Sequence, residues 1–198
     1  MARKTKTPAK LCLGLTGRMA SGKGEVIKIL TRRGFQIISL SDAVREEAAR
    51  RGGINRRDDM QDLGNLMRRQ GGAGILGDRI RRQIENSDIT RWVIDGIRNP
   101  AEIVALRQLP RFYLIGVQAE IPIILERLKK RALATDQADD DELRRRLARE
   151  WGEGEPGDGQ RVGDCLAESD FTVANNSDLA TLEKSIAAVL AAIGGADE

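Results

Sequence analysis

A chain of 198 residues suits one domain whose folded form buries roughly 70% of the surface its extended chain exposes. With 40% hydrophobic and 32% charged residues it fits neither a fibrous nor a disordered class, and no run nears the roughly 20 apolar residues of a membrane-spanning helix. Net charge is only +3, but 25 of the 33 basic residues are Arg, whose rigid fork suits phosphate oxygens, while 3% aromatics leave no stacking surface for nucleic acid.

Residues 1–10 read as a flexible basic arm carrying Arg3, Lys4, Lys6 and Lys10, a solubilising tail rather than a nucleic-acid contact. It lacks the apolar segment of a secretory signal, so a cytoplasmic location is expected. Residues 11–198 form the single expected domain. Leu11 to Thr16 is a short apolar strand ending at a glycine-rich turn, and Glu25 to Arg33 reads as a helix stopped by Gly34. Phe35 to Leu40 gives a second strand, after which Ser41 is placed to cap a helix starting near Asp42. Helices over Asp58 to Gln70 and Ala73 to Asn86, parted by Gly71 and Gly72, complete a helical insert at 41–88.

A third strand follows at Trp92 to Gly96, a short helix at Ala101 to Gln108 and a fourth strand at Arg111 to Val117. From Glu120 to Arg131, the residues Ile121, Ile124, Leu125 and Leu128 make one apolar helical stripe. Residues 132–163 read as a lid: an acidic start, an Arg-rich helix at Leu143 to Arg149, and a stretch from Gly152 to Gly163 too rich in glycine to pack as a core element. Phe171 to Ala174 is the last strand, followed by a helix from Leu179. Alternating strands and helices, with strands apolar almost throughout, predict an α/β fold with a five-stranded parallel sheet covered on both faces. Ligands of such a sheet bind beyond the C-terminal strand ends, where residues after Thr16, Leu40, Asp95 and Val117 converge.

The segment Gly17, Arg18, Met19, Ala20, Ser21, Gly22, Lys23 fills a Walker A pattern except for its last hydroxyl residue. Glycines let backbone N–H groups turn inward around phosphate oxygens, the next helix adds its positive end, and Lys23 reaches the outer phosphates. Gly24 stands where the Mg²⁺-touching Ser or Thr is usual, so metal is expected to be held through water, phosphate oxygens and Asp95, placed as a Walker B acid. Cys12 and Cys165 are too few for a zinc site or disulfide framework.

With these residues placed, the chain resembles the nucleoside monophosphate kinase superfamily, and more closely its dephospho-coenzyme A kinase-like or deoxynucleotide kinase-like branch, from Leu11 to about Leu182. The resemblance rests on the loop, on ISLSDAVREE with Asp42 and Arg45, on VIDGIRNPAEI with Asp95, Arg98 and Glu102, on the helix with Arg127 and Arg131, and on GQRVGDC, AESDFTV and Asn175. The GKG form of the loop is similar to that of adenylate kinases, which usually follow it with Thr where this chain has Glu25.

The resemblance implies a P-loop kinase using ATP and Mg²⁺. Gly17, Arg18, Ala20, Ser21, Gly22, Lys23, Gly24 and Glu25 would meet the nucleotide, with Asn175 near the donor base. Asp42, Arg45 and Arg98 would bind the acceptor, the helical insert at 41–88 would lie on the acceptor side, and Arg127 and Arg131 would lie near the donor phosphates or the lid hinge. In the lid, the run Arg146, Leu147, Ala148, Arg149, Glu150 lacks the Asp often found in relatives, and Arg149 is the foremost candidate for a phosphate contact. The expected partner is a small nucleotide acceptor, with monomer and homodimer both open. A dephospho-coenzyme A kinase, with Asp42 as base, and a nucleotide-dependent switch or accessory ATPase are the alternatives.

Overall fold

The computed structural model describes residues 10–53, 57–131 and 140–195, and within them all side chains except those of Arg57, Asp58 and Arg131. The basic arm, apart from Lys10, and residues 132–139 of the lid lie outside the described residues. Lys10 itself donates to the carbonyls of Ile84 and Glu85 at 2.6 and 2.9 Å, where a cation offsets the negative end of a helix.

Five strands form one parallel sheet: β1 (Leu11–Thr16), β2 (Gln36–Ser39), β3 (Arg91–Asp95), β4 (Arg111–Gln118) and β5 (Phe171–Ala174), in the spatial order β2-β3-β1-β4-β5. Leu11 sits opposite Arg91 on one side and Arg111 on the other, so the central strand has a neighbour on both edges. The strands are apolar in successive positions because both faces are covered. Cys12, Trp92, Ile94, Phe112 and Leu114 face one core with helices α2 (Leu40–Arg50), α3 (Arg57–Gly71), α4 (Ile75–Glu85), α5 (Pro100–Leu106) and α8 (Val162–Ala167). Their alternates Leu13, Leu15, Val93, Ile115 and Val117 face the other core with α1 (Lys23–Arg32) and α9 (Leu179–Gly195). A third cluster joins α6 (Ile121–Arg131) and α7 (Asp140–Trp151) to Met19 and Ala20.

Several boundaries differ from the sequence reading. The first helix begins at Lys23 rather than Glu25, since Gly22 in a left-handed conformation already ends the loop. Ser39 caps α2 in place of Ser41, its hydroxyl accepting from the Ser41 amide at 3.2 Å, because buried Leu40 is already the first helical residue. Phe35 lies before the strand yet is fully buried. The helix α8 was not anticipated; it buries Val162, Cys165 and Leu166. Burial raises the Cys12 thiol to about 12, with nearby Lys10 opposing, and both cysteines are free and buried. No helix among the described residues is long and apolar enough to cross a membrane.

Candidate active site

Between β1 and α1 the chain makes a tight loop that only particular residues permit. Gly17 has φ 141°, and a Cβ there would meet the Val117 carbonyl oxygen at 2.1 Å; Gly22 has φ 110°, and a Cβ there would meet Asn175 Nδ2 at 1.8 Å. Ala20 takes a positive φ of 56° without being glycine. Such strain at a ligand loop is maintained by what surrounds it. Here Arg127 donates to the carbonyls of Ala20, Ser21 and Asn175 at 3.3, 3.4 and 2.9 Å, and Asn175 Nδ2 donates to the Ser21 carbonyl at 2.9 Å. Both residues thus grip the carbonyl side of the loop. The Ser21 hydroxyl is buried without a hydrogen-bond partner among the described residues.

Lys23 Nζ reaches back over the loop to the carbonyls of Gly17 and Arg18 at 2.5 and 2.9 Å. Among the described residues nothing lies within 4 Å of a Cβ built on Gly24, so none of them imposes glycine by crowding where a hydroxyl is usual. Glu25 turns outward to Lys28 at 2.9 Å. Arg131 closes α6, with its side chain outside the described ones.

On the β2-β3 side of the loop lies a cleft of about 210 Å³ whose lining includes Ser41, Val44, Arg45, Gln61, Arg68 and Arg98. Arg45 and Arg98, on different elements, therefore share one cavity. Arg45 is exposed and pairs with Asp42 at 2.5 Å. Arg68 is already committed: it is buried and binds fully buried Glu102 through Nε at 2.9 Å and NH2 at 2.8 Å. Glu102 Oε2 accepts the amides of Arg98 and Asn99 at 2.8 and 3.1 Å, which fixes the turn after β3 and caps α5. Asp95 closes β3, and its Oδ1 is buried with no hydrogen-bond partner among the described residues. Among the described residues no group of three or more His, Cys, Asp or Glu is placed to hold a metal ion.

The described part of the stretch read as a lid packs down on both regions. Leu143 and Leu147 of α7 join Ile124, Leu125, Met19 and Ala20. Arg149, the lid arginine singled out in the sequence, lies between two acids, Asp62 at 2.5 Å and Glu155 at 2.7 Å, and so ties α7 to α3. These hydrogen bonds raise the Arg149 guanidinium above its ordinary value, overcoming the lowering by burial. The glycine-rich stretch, read as too rich in glycine to pack as a core element, is held through its backbone: Asn99 Nδ2 donates to the carbonyls of Gly157 and Gly159 at 2.9 and 2.8 Å, and the Arg161 amide donates to the Arg98 carbonyl at 2.7 Å. Gln61 and Gln160 add a buried bond at 3.1 Å.

Two contacts at the end of α7 had only a faint sequence signal, the Glu-Trp pair after Arg149. Glu150, 1% exposed, accepts the Met19 amide inside the loop at 2.6 Å, and its other oxygen lies 4.0 Å from Arg98 Nε. The Trp151 ring stacks under the Arg18 guanidinium at 4.0 Å. Burial lowers the Arg18 pKa, with Glu150 and Glu153 opposing.

A five-stranded parallel sheet with a glycine loop leaving its central strand defines a P-loop NTPase of kinase-like architecture. The chain belongs to the AAA domain family, whose model matches residues 16–153, and to the UPF0200 proteins; that of Methanosarcina barkeri is 30% identical over 182 residues, covering 90% of this chain and 93% of the relative. Among solved structures, shikimate kinase from Bacteroides thetaiotaomicron matches with a TM-score of 0.58 at 13% identity, over 93% of this chain and 98% of that one. Dephospho-CoA kinase from Campylobacter jejuni matches with a TM-score of 0.50 at 14% identity, over 93% and 97%. At such identities the likeness is one of fold. The fold is consistent with nucleotide-dependent phosphoryl transfer in general, whereas the acceptor must be argued from the site.

Proposed function

We propose that the protein binds ATP with Mg²⁺ and transfers the terminal phosphoryl group to a small phosphorylated acceptor, a ribo- or deoxyribonucleoside monophosphate. The observation that carries this reading is the sharing of one cleft by Arg45 and Arg98, with Arg98 linked to the phosphate loop through Glu150, which accepts the Met19 amide. The donor brings several negative charges, so a second phosphate approaches only where cations offset the repulsion. Two forks from different elements meet that need and orient the acceptor in line with the transferred group.

In this reading the amides after Gly17 and at the start of α1 hold the donor phosphates, and Lys23 leaves its loop carbonyls to meet the transferring group. Arg127 and Asn175 keep the loop in shape through its carbonyls. Arg18, Ser21, Gly24 and Glu25 belong to the donor side by position. Arg131 and Arg149 belong to the hinge and the closing cover. Asp95 fits the metal, since its buried Oδ1 lacks a partner and would hold the ion directly or through water. When bound, Mg²⁺ supplies charge neutralisation to the phosphate oxygens. Asp95→Asn should lower turnover by about 10- to 100-fold and weaken its Mg²⁺ dependence while ATP affinity changes little. A wild-type rate across a Mg²⁺ titration would remove Asp95 from the mechanism.

The deciding experiment measures ADP formation with ATP and Mg²⁺ in the presence of separate ribo- and deoxyribonucleoside monophosphates, dephospho-coenzyme A, or no acceptor. Each charge-assisted contact contributes about 1.5 to 3 kcal/mol, so Arg98→Ala should lower kcat/KM for the acceptor by roughly ten- to a hundredfold, with ATP binding little changed. Equal loss of ATP affinity would move Arg98 to the donor side. A second reading is favoured by the Asp42–Arg45 pair at the cleft, an acid that can deprotonate a hydroxyl acceptor. Stimulation by dephospho-coenzyme A alone would select it, and no stimulation by any compound would select a nucleotide-dependent switch.

A further inference from the structure

Glu150 is a cover residue, yet its carboxylate lies in the phosphate loop. One oxygen accepts the Met19 amide at 2.6 Å and the other is 4.0 Å from Arg98, which lines the acceptor cleft. The side chain is almost wholly buried, and its charge also acts on Arg18. A carboxylate taken out of water is tolerated only where donors and cations face it. At Glu150 those partners are one loop amide and two arginines, the same kind of groups that a nucleotide's phosphates seek.

We propose, resting on the donor-side reading above, that Glu150 is a positioning residue that couples the cover to the phosphate loop: its carboxylate competes with the nucleotide's phosphates for the Met19 amide and for Arg18, and holds Arg98 until it withdraws. Like charges this close, in a site screened from water, repel strongly, so nucleotide binding moves the C-terminal end of α7 away from the loop. Trp151 moves with Glu150, because the two are adjacent and Trp151 stacks on Arg18 of the same loop. The position of the cover thus enters the affinity for nucleotide. Arg98, relieved of its carboxylate neighbour, turns to the acceptor anion.

The test uses the full chain and AMP-PNP with Mg²⁺, a nucleotide that is bound without transfer. Glu150→Gln keeps an oxygen to accept the Met19 amide but removes the charge. Calorimetry should show it binding AMP-PNP more tightly than wild type, within the roughly 5- to 150-fold range of ordinary coupling between sites. A purely structural role would leave affinity unchanged or weaken it, and either result in a folded variant overturns the proposal. A second readout keeps Glu150 in place: in a Trp92→Phe background, AMP-PNP should change Trp151 emission. Unchanged emission with nucleotide bound would also defeat it. If neither wild type nor Glu150→Gln binds AMP-PNP, the donor-side reading falls as well, a result distinct from binding with equal affinity, which sinks only the role of Glu150.

Discussion

Lys23→Met should abolish measurable phosphoryl transfer, a loss of at least about 10²- to 10³-fold, while leaving the protein folded. The ammonium stands at the end of the loop and the start of α1, and its contacts with the Gly17 and Arg18 carbonyls keep it over the loop interior. In the proposed mechanism it leaves those carbonyls to stabilise charge that grows on the transferring group, an effect that a methionine of similar length cannot supply. Stability should fall only slightly, since a hydrogen bond at a partly exposed site contributes about 0.5 to 1.5 kcal/mol. The check is ADP formation alongside thermal melting. Near-normal transfer by a folded variant would refute the role of Lys23.

The largest expected effect on stability comes from Glu102→Leu, which should destabilise the protein by about 3 to 5 kcal/mol. Glu102 is fully buried and does two things at once: it neutralises buried Arg68, and it accepts the amides of Arg98 and Asn99. Leucine leaves a guanidinium with no carboxylate partner and two amides without their acceptor. For a chain of this size the melting temperature should drop by roughly 6 to 20 °C. Adding Arg68→Met should recover part of that loss, because the double variant no longer buries an unpaired charge. A double variant as unstable as the sum of the two single ones would show that the pair does not act as a unit. The cleft proposed to bind the acceptor should suffer too, since Arg98 and Asn99 are held by the same carboxylate.

The sheet was legible because its signal is local and repeated. Leu11–Thr16 and Phe171–Ala174 are apolar runs of strand length, and the four- and three-residue spacings of Ile121, Ile124, Leu125 and Leu128 can serve only one helical face. The five-stranded parallel sheet follows from that alternation, with the loop at the centre of the order. The cap of α2 was misread at Ser41 because two serines flank Leu40, and only the depth of Leu40 in the core decides which one lies outside the helix. The helix α8 has no clear local signal because glycine dominates the stretch before it, and its three buried residues acquire meaning only against β1, β4, α5 and α7.

By itself the sequence determined the strand and helix order, the glycine loop with Lys23, and Asp95 at the end of an apolar strand, since each depends on neighbours within a few residues. The meeting of Arg45 and Arg98 in one cleft was expected from their places after β2 and β3, but only the tertiary structure decided that Arg68 of the same cleft is bound to Glu102. It also decided that Arg127 and Asn175 grip the loop, and that Glu150 reaches Met19 across 131 residues. The physical reason is that a charged side chain has no local pattern to reveal its partner. An arginine reads the same whether it faces solvent, a phosphate or a buried carboxylate, and burial together with opposing charge, which distant segments supply, selects among them.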